Sequence, residues 1–149
     1  GYSLVSSAIR NEMRLISIVL GTASSKARID GSQALLNYVY RFFSTDKLFR
    51  ANEEIINAKT WKAENDSTSI GIADDLTITL PKGASKRLVY ENNLPDIIEG
   101  PIISKQKIGS VSIKLDDEVI NTVPLVALEN NPSGGILKQI QDTIQLWFE

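Results

Sequence analysis

The sequence predicts a mixed α and β fold. An edge hairpin plus one helix of an α/β domain comes first. A mainly antiparallel, β-sandwich-like domain follows, and then a C-terminal amphipathic helix. Three observations carry this prediction. Two β-rich runs flank a polar turn at the start of the chain. Short alternating runs separated by turn residues fill the middle. The last stretch repeats its apolar residues at helical spacing. The expected divisions are residues 1–44, 45–130 and 131–149.

Residues 2–9 and 13–20 are the two opening runs, and Arg10-Asn11-Glu12 is the turn between them. Leu15-Ile16-Ser17-Ile18-Val19-Leu20 is nearly continuous in apolar character, which predicts a strand covered on both faces. Ser24-Ser25 then offers an N-cap for a helix over residues 25–43. On a wheel of about 100° per residue, Ala27, Ala34, Leu35, Tyr38, Val39 and Phe42 share one arc, which Leu36 and Phe43 widen. One hairpin is thin cover for so wide a face, so this part reads as the edge of something larger.

Beyond Phe43 the runs shorten. Strands are expected at residues 55–62, 67–73, 76–80, 86–91, 108–115 and 118–128. Alternation is cleanest in Val111-Ser112-Ile113-Lys114-Leu115 and Leu76-Thr77-Ile78-Thr79-Leu80. Asp116-Asp117 reads as a tight hairpin turn. Asn130-Asn131-Pro132-Ser133-Gly134-Gly135 reads as a linker. After it, Ile136, Leu137, Ile140, Ile144, Trp147 and Phe148 fall within an arc of about 120°. A helix over 136–149 is roughly 20 Å long, too short for a hydrocarbon core of about 30 Å.

Composition excludes several function classes. The 149 residues hold no cysteine and no histidine. There is therefore no disulfide framework, Ser-His-Asp triad, Cys-His pair or His-ligated metal site within the chain. No cofactor is expected. A net charge of −2 without a long basic run argues against nucleic acid. No apolar run reaches the roughly 18 residues of a membrane-spanning helix.

Several stretches together carry a family resemblance. They are Gly1-Tyr2 with Arg14-Leu15-Ile16-Ser17 and Leu20-Gly21, Ser32-Gln33-Ala34-Leu35-Leu36-Asn37-Tyr38 with Arg41-Phe42-Phe43, and Trp61-Lys62. Thr79-Leu80-Pro81-Lys82-Gly83, Pro124-Leu125-Val126-Ala127-Leu128-Glu129 and Leu146-Trp147-Phe148 complete the set. In this order they resemble the rear part of the serine-type D-alanyl-D-alanine carboxypeptidases, the low-molecular-mass penicillin-binding proteins. The resemblance implies a transpeptidase/β-lactamase-like α/β domain for the hairpin and helix. For the whole enzyme it implies a bacterial, periplasmic hydrolase, peripheral on the inner membrane, that trims peptidoglycan stem peptides. Its chemistry uses Ser-x-x-Lys, Ser-x-Asn and Lys-Thr-Gly, and the last of these would lie just upstream of Gly1. This sequence has neither Ser-x-Asn nor Lys-Thr-Gly. Its two Ser-x-x-Lys matches, Ser44-Thr45-Asp46-Lys47 and Ser104-Lys105-Gln106-Lys107, lack the helix start that would bring lysine to serine. The chain alone is therefore expected to be inactive, with no catalytic residue of its own.

One substrate-binding residue is carried over. Arg28 matches the family's arginine at the start of the helix beside the cleft. It lies in the first turn of its helix, where the backbone favours an anion, and a guanidinium there can bind a terminal carboxylate. A structural salt bridge or an exposed helix-start arginine is the plainer reading. The C-terminal helix also keeps two readings: a core helix packed on the β-domain, or an interfacial membrane anchor as the resemblance implies. For the whole chain, the alternatives are a non-catalytic part of a carboxypeptidase and a stand-alone β-domain interaction module. The expected partners are the remainder of the catalytic domain, the inner-membrane surface and, through the full enzyme, the stem peptide. An unpaired edge on the first strand predicts self-association through residues 1–43.

Overall fold

The computed structural model describes residues 1–147. Two compact units emerge. One comprises Gly1–Lys47 with Thr77–Lys86, and the other Leu48–Leu76 with Arg87–Glu149.

In the first unit β1 (Tyr2–Arg10) and β2 (Met13–Thr22) pair antiparallel, with Arg10 opposite Met13. Asn11 and Glu12 close the hairpin at φ 48° and 64°. Positive φ at both central residues is the type I′ geometry whose twist matches the strands it joins. Helix α1 (Ser25–Phe42) begins where expected, because the Ser24 side chain accepts a hydrogen bond from the Ala27 N–H. The helix then turns a different side inward. Ser32 and Tyr40 are buried, while Leu35, Tyr38 and Phe42 of the expected arc are exposed. A line of hydroxyls accounts for this. Ser32 Oγ lies 2.6 Å from Ser6 Oγ and 3.1 Å from Ser17 Oγ, joining α1 to both strands. The Tyr40 hydroxyl donates to the Met13 carbonyl at 3.4 Å, and the Arg10 guanidinium stacks over the Tyr40 ring at 4.5 Å.

Because α1 covers only one face of the hairpin, the other face is bare. Val5, Ile9, Ile16, Ile18 and Leu20 are all exposed, Leu20 at 72%. The expectation that β2 is covered on both faces does not hold within this chain. Nor does a boundary at residue 44 separate all the strands. β3 (Phe43–Phe49) continues directly from α1 and pairs with β6 (Leu76–Pro81) as a separate two-stranded sheet. The Lys82 N–H donates to the Phe42 carbonyl, and Thr45 and Thr79 share a hydroxyl bond at 2.7 Å.

The second unit is built on one five-stranded sheet rather than two facing ones. Its order is β4 (Glu54–Lys59), β5 (Ser67–Gly71), β9 (Glu118–Ala127), β8 (Lys107–Leu115) and β7 (Leu88–Asn93). Neighbours within it are antiparallel. Ile70, Ile72, Val111, Leu125 and Ala127 form the sheet's share of the core, and Ile98 and Ile102 close it from the connecting segment. Phe49 of β3 and Leu76 of β6 also pack against this core, so the expected antiparallel strands are present, centred on one five-stranded sheet. The predicted Asp116-Asp117 hairpin is present, with φ 50° and 67° and Leu115 opposite Glu118.

The segment expected as a linker is instead built into the unit. Asn131 is 1% exposed, and its side-chain amide donates to the Asn65 carbonyl, the Ser67 carbonyl and Thr68 Oγ1. Its carbonyl oxygen accepts from the Asn65 N–H at 2.9 Å. A buried asparagine with its hydrogen-bonding capacity this well used fixes the backbone around it. Ser133 bridges to Ala63, and helix α2 (Ile136–Leu146) follows directly.

Candidate functional site

Arg28 sits half-buried in the first turn of α1. Its Nη1 donates to the Ser3 carbonyl at 3.0 Å and its Nη2 to Ser25 Oγ at 3.2 Å. The guanidinium carbon lies 5.8 Å from the centre of the Tyr2 ring. Arg28 Nε is buried without a hydrogen-bond partner. A guanidinium carries five N–H donors in a planar fork. Two of its nitrogens are therefore anchored while donor capacity is left over. Among the described residues no carboxylate forms an ion pair with Arg28, so the plain salt-bridge reading has no partner here.

The Ser-x-x-Lys matches are placed as ordinary structure. Ser44 and Lys47 both lie on β3, an extended strand that cannot bring them one helical turn apart. Ser104 is held in a turn, where its N–H donates to Asn130 Oδ1 and its hydroxyl to the Leu128 carbonyl. The carboxylates also serve local structure. Asp75 accepts from the Ala51 N–H, Asp116 pairs with Arg87, and Glu54 accepts from Ser69. Trp61 is buried, with the Lys59 ammonium 3.7 Å from its ring centre.

The second candidate is α2. Ile136, Leu137, Ile140, Ile144 and Trp147 are all exposed, Leu137 and Trp147 at 85%. Phe148 lies outside the described residues. The helix is attached by its polar side. Asp142 is buried, and its Oδ2 accepts from the Lys62 N–H at 2.7 Å. Lys138 Nζ donates to Asp66 Oδ1 at 2.6 Å and to the Glu64 carbonyl at 3.0 Å. That ammonium holds the Asp66 carboxyl below the usual carboxylate range, and Lys59 adds to the effect. At the root of the helix the Gly134 N–H donates to the Lys62 carbonyl. A Cβ on Gly134 would come within 2.8 Å of the Ala63 carbonyl oxygen. Ala63 is fully buried, and a Cβ on Gly100 would likewise meet its methyl group at 2.6 Å. α2 thus packs on the rest of its unit by its polar side, and its apolar residues, which a core helix would bury, are exposed. Among the described residues no helix is long and apolar enough to cross a membrane.

Sequence reasoning identified the apolar strip and Arg28 but missed the contacts that hold α2. The sequence holds one local hint of them, Asp142 four residues after Lys138 on the side opposite the apolar strip.

Comparison with known proteins places this geometry. Residues 43–133 match the family model of the penicillin-binding protein 5 C-terminal domain. The D-alanyl-D-alanine carboxypeptidase DacA of Escherichia coli is 35% identical over 99% of this chain and 37% of its own length. DacA of Haemophilus influenzae is 32% identical over 98% of the chain and 38% of its own length. Among solved structures, penicillin-binding protein 5 of Haemophilus influenzae superposes with a TM-score of 0.80 at 31% identity, covering 89% of this chain and 39% of that one. DacD of Francisella tularensis gives 0.63 at 30% identity, covering 89% and 33%. The chain thus spans well under half the length of the relatives it matches. The family model covers more than half of the chain, so the chain belongs to the penicillin-binding protein 5 C-terminal domain family.

Proposed function

We propose that this chain is the non-catalytic C-terminal region of a D-alanyl-D-alanine carboxypeptidase. In this reading, β1, β2 and α1 complete the catalytic domain, the five-stranded unit is a stalk, and α2 is an interfacial membrane anchor. The enzyme would trim peptidoglycan stem peptides in the periplasm while resting on the inner membrane. The observation that carries the anchor is the outward apolar strip of a helix docked by its polar side. Exposed Ile, Leu and Trp on one side of a short helix suit the headgroup boundary, where the apolar face is buried without spanning the bilayer. Co-sedimentation with phospholipid vesicles tests it. The intact chain should pellet and a chain lacking residues 136–149 should stay in the supernatant; equal partitioning rejects the anchor.

The bare outer face of β1–β2 supports the remainder of the catalytic domain as its partner. An apolar surface of this kind marks an interaction site. When nothing covers it, the same face and the strand edges favour self-association through residues 1–43. Labelling with a fluorescent penicillin tests the assignment of no nucleophile: a covalent adduct on this chain alone would overturn it.

Arg28 is proposed to bind the terminal carboxylate of the stem peptide. Support comes from its free donors and its place in the first turn of α1. In a full carboxypeptidase containing this sequence, Arg28→Ala should lower kcat/KM by about tenfold to a hundredfold, the range expected for a lost hydrogen bond to a charged group. Unchanged kinetics would reject the role.

A further inference from the structure

The anchor proposal says what α2 contacts; the contacts on its polar side say how it is aimed. Helix α2 has eleven residues. Isolated helices of that length are marginal in water. Its N-cap is Gly135, without a side-chain cap bond, and it has no acidic residue in its first turn and no basic residue in its last. Its ends therefore lack the cap and the charges that commonly support so short a helix. What it has is a set of contacts with a single loop. Asp142 takes the Lys62 N–H, Lys138 spans the Glu64 carbonyl and Asp66, and Gly134 donates to the Lys62 carbonyl.

That loop is itself held firmly. The Trp61 N–H donates to the Ile98 carbonyl and the Glu64 N–H to the Pro132 carbonyl, both within 2.8 Å. Lys62 stands at φ 57°, a left-handed conformation uncommon for a residue with a side chain, and this presents its N–H to Asp142. Lys62 Nζ is engaged separately by Glu99 at 3.0 Å. Asn131 binds the loop from Asn65 to Thr68.

From these observations we infer that residues 61–66 form a clamp for the polar side of α2, in which Lys138 and Asp142 are positioning residues that fix the direction of the apolar strip. The inference rests on the anchor reading for its purpose but not for its geometry. The clamp makes α2 helical and oriented before any lipid is met. It also occupies Lys138, the only cation on the helix. Attachment then depends on apolar insertion, and the polar contacts set orientation.

The absence of cysteine permits a direct test on the intact chain. Spin labels at Gln145→Cys on α2 and Glu118→Cys at the β8–β9 turn report the distance distribution between helix and sheet. With Lys138 and Asp142 in place, that distribution should be narrow. In the double variant Lys138→Gln, Asp142→Ala it should broaden severalfold. A single Asp142→Ala variant should speed hydrogen exchange of the Lys62 amide by about tenfold or more, since that N–H loses its acceptor. Circular dichroism and the unfolding midpoint verify that the sheet is intact in both. Equal widths, or a distribution already broad with both residues present, would overturn the clamp. Co-sedimentation of the same proteins with phosphatidylcholine vesicles, which carry no net charge, is read separately. Pelleting of both to within about twofold is expected, because the apolar strip is unchanged. If neither pellets, the anchor reading falls while the spin-label distances still decide the clamp.

Discussion

The two units divide their charges and their apolar residues in opposite ways. The first holds eight lysines and arginines against three carboxylates, and the second holds eight against fifteen. A chain with a net charge of −2 thus conceals a basic unit and an acidic one. The second unit turns its isoleucines and valines inward, and Ile70, Ile72, Val111, Ile113 and Leu125 have no exposed surface. The first turns one set of them outward, along Val5, Ile9, Ile16, Ile18 and Leu20. One unit has its own closed core, and the other presents half of a core. The difference teaches that equal apolar content does not mean equal self-sufficiency. What matters is whether the chain supplies a cover for each apolar face.

Substitutions can break or sharpen this contrast. The largest effect is expected from Leu125→Ala. A cavity at this fully buried site should destabilise the second unit by about 2–5 kcal/mol in a denaturant titration. A loss below about 1 kcal/mol would show that the core is less closely packed than its burial indicates. The paired change Ile16→Thr, Ile18→Thr on the bare face should alter stability by no more than about 0.5 kcal/mol, since neither side chain is covered. It should still lower the apparent mass by light scattering if that face drives association. A large loss of stability would mean that the face is covered within the chain.

The smallest effect is a pH dependence at the clamp. The Asp66 carboxyl is held low chiefly by its hydrogen bond from Lys138 and then by that residue's charge. A carboxyl with a depressed pKa in the folded state stabilises above its unfolded pKa and loses that contribution as pH falls through the folded value. Docking of α2 should therefore be constant at neutral pH and weaken only below the usual carboxylate range. The pair is exposed on the Asp66 side, so solvent screening keeps the effect small. Spin-label distances recorded down a pH series would check it, and loosening already near pH 6 would point to a different group.

Legibility in the sequence followed how local each determinant is. The hairpin turns at Asn11-Glu12 and Asp116-Asp117 were readable because polar pairs between alternating runs report backbone geometry within a few residues. β3 was not readable, because Phe43–Phe49 follows the helix without a glycine or proline to mark a change. The role of Ser32 was not readable, because its hydroxyl finds two partners on strands that precede it by 15 and 26 positions. The linker reading of residues 130–135 took account of proline and glycine but not of Asn131, whose amide satisfies backbone groups some 65 positions away. The apolar strip of α2 was plain from periodicity. Its docking was not, since the N–H that receives Asp142 lies 80 positions earlier. For the candidate site, the side facing outward was legible and the side facing the protein was not.

Ala63 lies between two glycines, and neither could gain a Cβ without striking it. Its methyl faces Gly100, and its carbonyl faces Gly134 at the base of α2. Neither approach leaves room for a side chain on the glycine. Any side chain at Gly134 would press the base of the helix off the Ala63 carbonyl while its later turn stayed tied through Asp142. The helix would then tilt instead of detaching, and its apolar strip would turn with it. The direction in which the apolar strip faces is thus set where three small residues meet.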